Sequence, residues 1–222
     1  MKNLAAQFLS DEERERVQAA VKEAEKATTG EIVPMIVSSS YHYPVADILG
    51  GAALSLPLAL IVTPMVGRWF WVGGQNMWLF LGFFIPLFVL FQQVVRHTPW
   101  LKRVFLPHKE IEEEVKEAAL IAFFRHGLYK TRDETGVLIF ISVFERWVWV
   151  LADRGIHNKV GQNEWDAIVR EVTDGIVQGR QAEAICAAVK RAGEILRAHF
   201  PAKADDTDEL KNLVTEDPIR TD

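Results

Sequence analysis

The stretch ILGGAALSLPLALIVTPMV, residues 48–66, runs for nineteen positions without a formal charge. A second uncharged stretch of the same length, MWLFLGFFIPLFVLFQQVV, occupies residues 77–95. As an α-helix each stretch measures about 28 Å at about 1.5 Å per residue, close to the hydrocarbon thickness of a bilayer. The sequence therefore predicts two membrane-spanning helices. The alternative is a pair of core helices in a soluble protein, which rarely contain uncharged runs of this length.

The short connection between the two stretches, GRWFWVGGQN at residues 67–76, favours a tight re-crossing of the membrane. It combines turn-forming residues with Trp69, Phe70 and Trp71, and such amphipathic rings settle at the level of the lipid headgroups. Residues 46–98 are therefore predicted to form a transmembrane helical hairpin. Neither predicted span contains an ionisable residue, which favours an anchor over an ion path.

Basic residues near the span ends predict the orientation. Four follow the second span, at positions 96, 102, 103 and 109, whereas the connection holds only Arg68. By the positive-inside rule both flanks of the hairpin lie in the cytoplasm. We therefore expect an integral protein of the inner or plasma membrane with a cytoplasmic soluble domain.

Composition narrows the function classes. The 222 residues carry a net charge of −5 with a pI near 5.7, and no sustained basic stripe is present, so nucleic-acid binding is disfavoured. Cys186 is the only cysteine, which excludes an intrachain disulfide and favours a buried apolar role. Residues 1–27 are highly charged and lack the apolar core of a signal peptide, so we expect the first span to direct membrane targeting.

The flanks of the hairpin show alternating helix and strand patterns. Ser10 followed by Glu13 is a capping box that begins a helix, which should end near the TTG sequence at residues 28–30. An apolar strand follows at residues 31–37, and Pro34 places it at a sheet edge or bulge. After the hairpin the sequence predicts a helix at 108–128, strands at 137–142 and 147–152, and helices at 162–177 and 181–197.

A strand before the hairpin cannot fold usefully alone and must pair with the strands after it. The expected fold is therefore an α/β domain, a three-layer type with a short mixed β-sheet and helices on both faces, interrupted by the hairpin. Residues 1–45 form its first part and residues 99–200 its second. The polar, aromatic-free residues 201–222 are predicted to be a disordered acidic tail.

Three stretches resemble the TPM-domain family as a set, and together they cover most of the soluble sequence. They are LSDEERERVQAAVKEAEKATTGEIVPMIV at residues 9–37, FFRHGLYKTRDETGVLIFIS at 123–142 and VFERWVWVLADRGIHNKVGQNEWDAIVREV at 143–172. The resemblance implies a sheet with helices on both faces. It also implies a family linked to acid phosphatase activity, divalent-cation binding and the assembly or repair of membrane complexes. The chain departs from many relatives in its hairpin and in the charged character of its N-terminus.

Four acidic residues at predicted strand ends make the best candidate site. Glu31, Asp133 and Asp153 are the predicted metal ligands, with Glu134 beside them, because carboxylate oxygens suit Ca²⁺ or Mg²⁺. Taken alone, Asp133 and Glu134 are more typical of ordinary loop acids. Glu31 is ambiguous because it directly follows a helix end. Asp153 is favoured because it directly follows an apolar strand.

Arg146 or Arg154 would supply a positive charge for a bound phosphate group. No catalytic residue is identified: the sequence lacks a DxDxT pair, a CxxxxxR loop and a P-loop, and its histidines show no metal-ligand spacing.

Two functions remain open after this reasoning. The first is a membrane-anchored domain that binds a membrane protein complex or assists its assembly or repair. In this reading the domain could also bind a cation. The second is a metal-dependent phosphatase on the same domain. A weaker third is an accessory subunit of a transporter, in which Gly50 and Gly51 pack against another protein's helix.

Overall fold

The computed structural model of the chain describes residues 4–71, 73, 76–203 and 210–216. The chain divides into two compact units. One unit comprises Met1–Tyr41 together with Ile111–Asp222, and the other comprises His42–Glu110. The soluble domain is therefore built from two separate pieces of sequence, and the hairpin unit extends beyond the predicted limits of residues 46 and 98.

The first unit holds most of the helices. Its helices are α1 (Leu4–Phe8), α2 (Asp11–Glu25), most of α6 (His108–Arg125), α7 (Arg154–His157), α8 (Gln162–Val177) and α9 (Gln181–His199), with a 3₁₀ turn at Leu128–Lys130. Its strands are β1 (Glu31–Val37), β2 (Gly136–Ser142), β3 (Trp147–Ala152) and β4 (Val214–Glu216). The second unit holds α3 (Pro44–Trp69), α4 (Met77–His97) and α5 (Pro99–Val104).

The four strands form one mixed sheet in the order β3-β2-β1-β4. β1 runs parallel to β2, from the pair Glu31 and Gly136 to the pair Val37 and Ser142. β2 and β3 are antiparallel, and β4 runs parallel to β1. The predicted pairing between the strand before the hairpin and those after it is thus confirmed.

Both faces of this sheet are covered by helices, as predicted. Because side chains alternate along a strand, Ile36 and Ile139 point to the face that shares a core with α2, α8 and α9. On the opposite face, the ammonium group of Lys116 in α6 lies 4.7 Å from the ring centre of Trp149. Phe140 in the central strand β2 is fully buried. The mixed sheet between helical layers is the expected α/β class.

The capping box at the start of α2 is confirmed. The Glu13 amide donates to the Ser10 hydroxyl at 3.3 Å, and the Glu13 carboxylate accepts from the Ser10 amide at 2.8 Å. The Ser10 amide hydrogen bond lowers the pKa of Glu13 below its usual value, because it stabilises the charged carboxylate. The cap fixes where the first long helix begins.

The prediction of a disordered tail from residue 201 is wrong for β4, while residues 204–209 and 217–222 lie outside the described residues. Val214 is buried and pairs with Met35 of β1, and Leu213 packs against the core. Asn212 also donates to the Glu25 carboxylate at 3.1 Å. A strand of three residues is too short to show a hydrophobic period, so composition alone suggested disorder.

Pro34 was predicted to lie at an edge or bulge, yet β1 is flanked by β2 and β4. β4 pairs only with Met35–Val37. The Ser38 amide donates to the Glu216 carbonyl, so it points towards β4. Because backbone groups alternate along a strand, the Pro34 nitrogen also faces the β4 side, but β4 does not extend as far as Pro34. The proline therefore occupies a locally unpaired stretch of the strand, where no ladder hydrogen bond is lost.

The hairpin helices are longer than the predicted spans. α3 has 26 residues and α4 has 21, and each contains an 18-residue window of mean hydropathy 2.0. Only 33% of the α3 window and 6% of the α4 window are buried. Such low burial is unlike a core helix of a soluble protein, in which the apolar side chains are covered. Both helices are long and apolar enough to cross a membrane.

Glycines allow α3 and α4 to approach closely. A Cβ atom on Gly51 would lie 3.1 Å from the backbone nitrogen of Gln92, and one on Gly50 would lie 2.9 Å from the side chains of Val95 and Phe105. These contacts lie within the hairpin unit. The hypothesis that these glycines serve packing against another protein therefore loses its main support.

An ion pair lies at the base of the hairpin. α3 begins at Pro44, four residues before the predicted span, and so includes Asp47. The Lys102 ammonium group lies 2.9 Å from the Asp47 carboxylate, with the two side chains 5% and 12% exposed, and it also donates to the His42 carbonyl at 2.6 Å. Removing two charges from water is costly, so this pair is stable only while both partners remain.

We predict that Gly51→Leu destabilises the hairpin by about 1–3 kcal/mol, because the Gln92 backbone cannot move away from an added side chain. Gly82→Leu is the matched control, since nothing lies within 4 Å of its Cβ position. Thermal unfolding of the detergent-solubilised chain measures both. Equal melting temperatures for the two variants would contradict the close packing.

Lys102→Met should destabilise the hairpin unit by about 3–5 kcal/mol, because it leaves a buried carboxylate without its counter-charge. The double variant Lys102→Met with Asp47→Asn should recover most of that loss, since no buried charge remains. Denaturant unfolding in detergent gives the comparison. The ion pair is unimportant if the single variant unfolds like the unmodified chain.

Candidate functional site

Two of the predicted site residues flank one glycine at the amino end of the parallel strands. Glu31 opens β1 beside Gly136 of β2. On the other side of Gly136, its carbonyl accepts a hydrogen bond from the Asp153 amide at 2.9 Å. Since neighbouring strands are about 4.8 Å apart, the two backbones are separated by about 10 Å. Side chains of this length can approach one another over the end of β2.

The loop before β2 lies against the residues that follow β3. A Cβ atom placed on Gly155 would lie 3.1 Å from the Asp133 carbonyl oxygen and 2.6 Å from that of Glu134. Only glycine leaves room for this approach. The sheet end therefore brings the backbones of Asp133 and Glu134 close to the turn that follows Asp153.

The carboxylates at this end have different environments. Asp133 forms an ion pair with Lys203 at 2.7 Å. One Asp153 oxygen caps α7 by accepting from the Arg154 amide at 2.6 Å, whereas the other is buried and has no hydrogen-bond partner in the described part of the chain. Glu31 is 6% exposed. The second Asp153 oxygen is thus buried without a hydrogen bond from the described residues, which is energetically costly.

These acids do not form a ready-made metal cage. Among residues 4–71, 73, 76–203 and 210–216, no three His, Cys, Asp or Glu side chains are grouped closely enough to hold a metal ion. Ca²⁺ needs six to eight oxygen ligands and Mg²⁺ six. The set Glu31, Asp133 and Asp153 therefore does not fit a three-carboxylate site in this arrangement, and cation binding there stays a prediction.

The two candidate phosphate-binding arginines lie at opposite ends of β3. Arg154 follows Asp153 directly, whereas Arg146 precedes Trp147 at the start of the strand, with a left-handed φ of 55°. A strand of six residues spans about 20 Å. Arg154 therefore lies beside Asp153, whereas Arg146 does not, because no side chain reaches along the whole strand.

A buried polar cluster at the carboxyl ends of β1 and β2 escaped sequence reasoning. The Glu145 carboxylate, 2% exposed, accepts hydrogen bonds from the Ser40 amide at 2.8 Å, the Ser39 hydroxyl at 3.1 Å and the Ser142 hydroxyl. The Ser40 hydroxyl also donates to that of Ser142 at 3.0 Å. We call these four residues the Glu145 cluster.

The Glu145 cluster holds the chain where it leaves β1. Its carboxylate is too deeply buried to meet a substrate, and its three donors satisfy a charge that would otherwise be costly to bury. The sequence contained a signal for it. Polar residues directly after parallel strands gather at one edge of the sheet, and Ser39, Ser40 and Glu145 all follow β1 or β2 within three residues.

The lone cysteine does not provide a nucleophile. Cys186 is half-buried in α9, and burial raises the pKa of its thiol because the charged thiolate loses its hydration. A thiol with a raised pKa is largely protonated at neutral pH and therefore a weak nucleophile. The predicted apolar packing role suits this environment.

The outer strand β3 borders an apolar groove of about 300 Å³ beside α8. Val148, Val150, Trp165 and Val169 line it, and Trp147 and Trp149 border it from the strand edge, with Arg146 at one end. β3 pairs with no strand but β2 in the described structure. Because Asp153 is hydrogen-bonded to Gly136, alternation directs the backbone groups of residues 148, 150 and 152 away from β2. The groove thus lies along a free strand edge.

The fold defines a class: a split α/β domain with a long apolar hairpin inserted after its first strand. Residues 103–195 match the family model described as the TPM domain, which includes β2, β3 and most of the helices around them. Residues 103–195 therefore match the TPM domain, as the sequence resemblance indicated.

A solved structure supports the fold. The NMR structure of BA42 protein from the psychrophilic bacterium Bizionia argentinensis is similar with a TM-score of 0.58 and 20% identity, over 94% of this chain and 96% of that one. At this level of sequence identity the similarity shows a shared fold and nothing about function. None of the curated proteins compared matches the chain.

We predict that Glu145→Ala destabilises the soluble domain by about 3–5 kcal/mol, because three buried donors lose their acceptor. Glu145→Gln keeps one acceptor oxygen and should cost clearly less. Urea unfolding followed by tryptophan fluorescence measures both variants. If Glu145→Ala unfolds within 1 kcal/mol of the unmodified protein, the Glu145 cluster does not stabilise the fold.

Proposed function

We propose that this TPM-domain protein is anchored in a membrane by α3 and α4 and acts as a binding or assembly factor for a membrane protein complex. The anchor is supported by the length, hydropathy and low burial of both helices. Exposed tryptophans at the hairpin turn, including Trp71, suit the headgroup layer.

The pairing of β1 with β2 supports a single compartment for both flanks. Two pieces of sequence that share one sheet must lie on the same side of a membrane, so the hairpin enters and leaves on that side. The basic residues after α4, of which Arg96 and Arg103 are two, favour the cytoplasmic side. The soluble domain would then face partners at the cytoplasmic surface.

The observation that carries the binding role is the free edge of β3 beside its apolar groove. An extended segment of a partner can add to such an edge through backbone hydrogen bonds while one of its side chains enters a groove. Trp165 and Val169 in the groove, with the partly exposed Trp147 and Trp149 at the strand edge, supply apolar area of the kind that dominates interface energetics. The proposed occupant is an extended segment of an integral membrane protein held nearby by the same bilayer.

The second candidate is a metal-dependent phosphatase, and the unsatisfied buried oxygen of Asp153 favours it. In this alternative Asp153 would be a cation ligand and Arg154 would bind the phosphate group. Ca²⁺ or Mg²⁺, when bound, would polarise the phosphate oxygens. Glu31 and Asp133 would have to turn towards Asp153 to complete the ligands, since they are not grouped in this arrangement.

A photo-crosslinking amino acid at position 147 tests the binding role in native membranes. Val177 is the matched control, because it is an exposed apolar residue at the end of α8, outside the groove. We expect position 147 to crosslink a discrete integral membrane protein and position 177 not to do so. Crosslinking that is equal at both positions would contradict a partner at β3.

The same preparation separates the two candidates. A phosphatase should hydrolyse phenyl phosphate with Mg²⁺ or Ca²⁺ and lose this activity in Asp153→Asn, which keeps an oxygen to cap α7. A binding domain should show no hydrolysis in either form. Metal-dependent turnover abolished by this substitution would favour the phosphatase.

A further inference from the structure

A cationic cleft lies at the end of α6, and its lining includes neither Asp153 nor any residue of the β3 groove. Its volume is about 370 Å³, and it is lined by Arg125, His126 and Lys130 together with the apolar side chains of Phe124 and Leu210. We call it the Arg125 cleft. It combines positive charge on one part of its wall with apolar surface on another.

Local sequence explains why the cations converge. Gly127 adopts a left-handed φ of 74° directly after α6, a conformation that glycine allows without steric cost. The chain then turns, and the Lys130 amide donates to the Gly127 carbonyl at 2.8 Å. The Lys130 ammonium group lies 5.5 Å from the ring centre of Tyr129, which itself contacts Phe124. The turn therefore returns Lys130 to the end of the helix.

The cleft residues already bind an anionic group from the chain itself. The Glu216 carboxylate at the end of β4 lies 3.2 Å from the His126 ring nitrogen and 3.9 Å from the Arg125 guanidinium. Arg125 and Lys130 carry two positive charges, and Glu216 supplies one negative charge. Among the described residues at the cleft, the positive charges of Arg125 and Lys130 therefore exceed the one negative charge of Glu216.

We propose that the Arg125 cleft binds the phosphate group of an organic phosphomonoester and that the Glu216 carboxylate competes with it. A phosphomonoester carries between one and two negative charges near neutral pH and offers three acceptor oxygens. Its charge and its number of acceptor oxygens suit the two cations, Arg125 and Lys130, better than those of a single carboxylate do. Phe124 and Leu210 form the wall that accommodates the ester's carbon atoms.

The phosphomonoester has two possible sources, a dissolved metabolite or the headgroup of a lipid such as phosphatidic acid. The simpler explanation of the ion pairs is that Glu216 only fastens β4 to α6. Lys130 separates these explanations, because Lys130 lines the cleft while Glu216 is paired with Arg125 and His126. A ligand in the cleft should shield Lys130, whereas a fastening role predicts no shielding.

The test measures the acetylation rate of Lys130 by mass spectrometry in the full chain, inserted into phosphatidylcholine nanodiscs. Lys190 is the internal control, since it is an exposed lysine of α9. Phenyl phosphate is titrated against sodium chloride at equal ionic strength. A second set of nanodiscs contains phosphatidic acid and no dissolved phosphate.

We expect phenyl phosphate, phosphatidic acid or both to slow acetylation of Lys130 and not of Lys190. The arm that responds identifies the source. In Glu216→Gln the half-protecting concentration should fall on the order of threefold, because one competing charge is removed. In Arg125→Gln it should rise by a similar factor. The proposal is overturned if chloride protects Lys130 equally, if neither arm protects it, or if Glu216→Gln leaves the half-protecting concentration unchanged.

Discussion

The parallel pairing of β1 with β2 is the constraint on which the rest of the structure depends. Parallel neighbours need a connection that returns from the carboxyl end of one strand to the amino end of the next. In this chain α6 lies on that return path, and the apolar hairpin precedes it. Because the entropy cost of closing a connection grows only slowly with its length, the insertion leaves the register of the sheet intact. One domain can therefore have a long apolar hairpin inside its sequence.

The two ends of the sheet have different roles. At the carboxyl ends of β1 and β2, the Glu145 cluster fixes the residues that lead out of β1. At the amino ends, Asp153 keeps a buried oxygen without a hydrogen-bond partner among the described residues. A satisfied polar cluster adds rigidity, whereas an unsatisfied group is a cost that functional sites often bear. Asp153 therefore stays a candidate site residue, whereas the Glu145 cluster stabilises the strand ends.

Sequence reasoning predicted the parts of the fold that have strong local signals. The uncharged stretches indicated α3 and α4, the capping box placed the start of α2, and apolar runs located β1, β2 and β3. It missed β4, which depends on the neighbouring strand for its pairing rather than on its own pattern. It also missed the pairing of Asp47 with Lys102, which are far apart in sequence and come together only when the hairpin closes.

The candidate site was predictable only in part. Strand order and chain reversals explain why Glu31, Asp133 and Asp153 reach one end of the sheet. Whether their carboxylates share a ligand depends on the directions of the side chains and on competing partners, such as Lys203 for Asp133. The spacing of the acidic residues along the sequence determines neither. Arg146 was also grouped wrongly with Asp153, because the six residues of β3 lie between them and hold them far apart.

Cysteine labelling in sealed vesicles measures the central claim most directly. Single cysteines would replace Lys26, Lys190 and Trp71 in turn, in a Cys186→Ser background, and a membrane-impermeant maleimide would be added from one side. The split domain predicts that positions 26 and 190 react from the same side and position 71 from the other. Labelling of positions 26 and 190 from opposite sides would contradict a sheet shared by the two flanks of the hairpin.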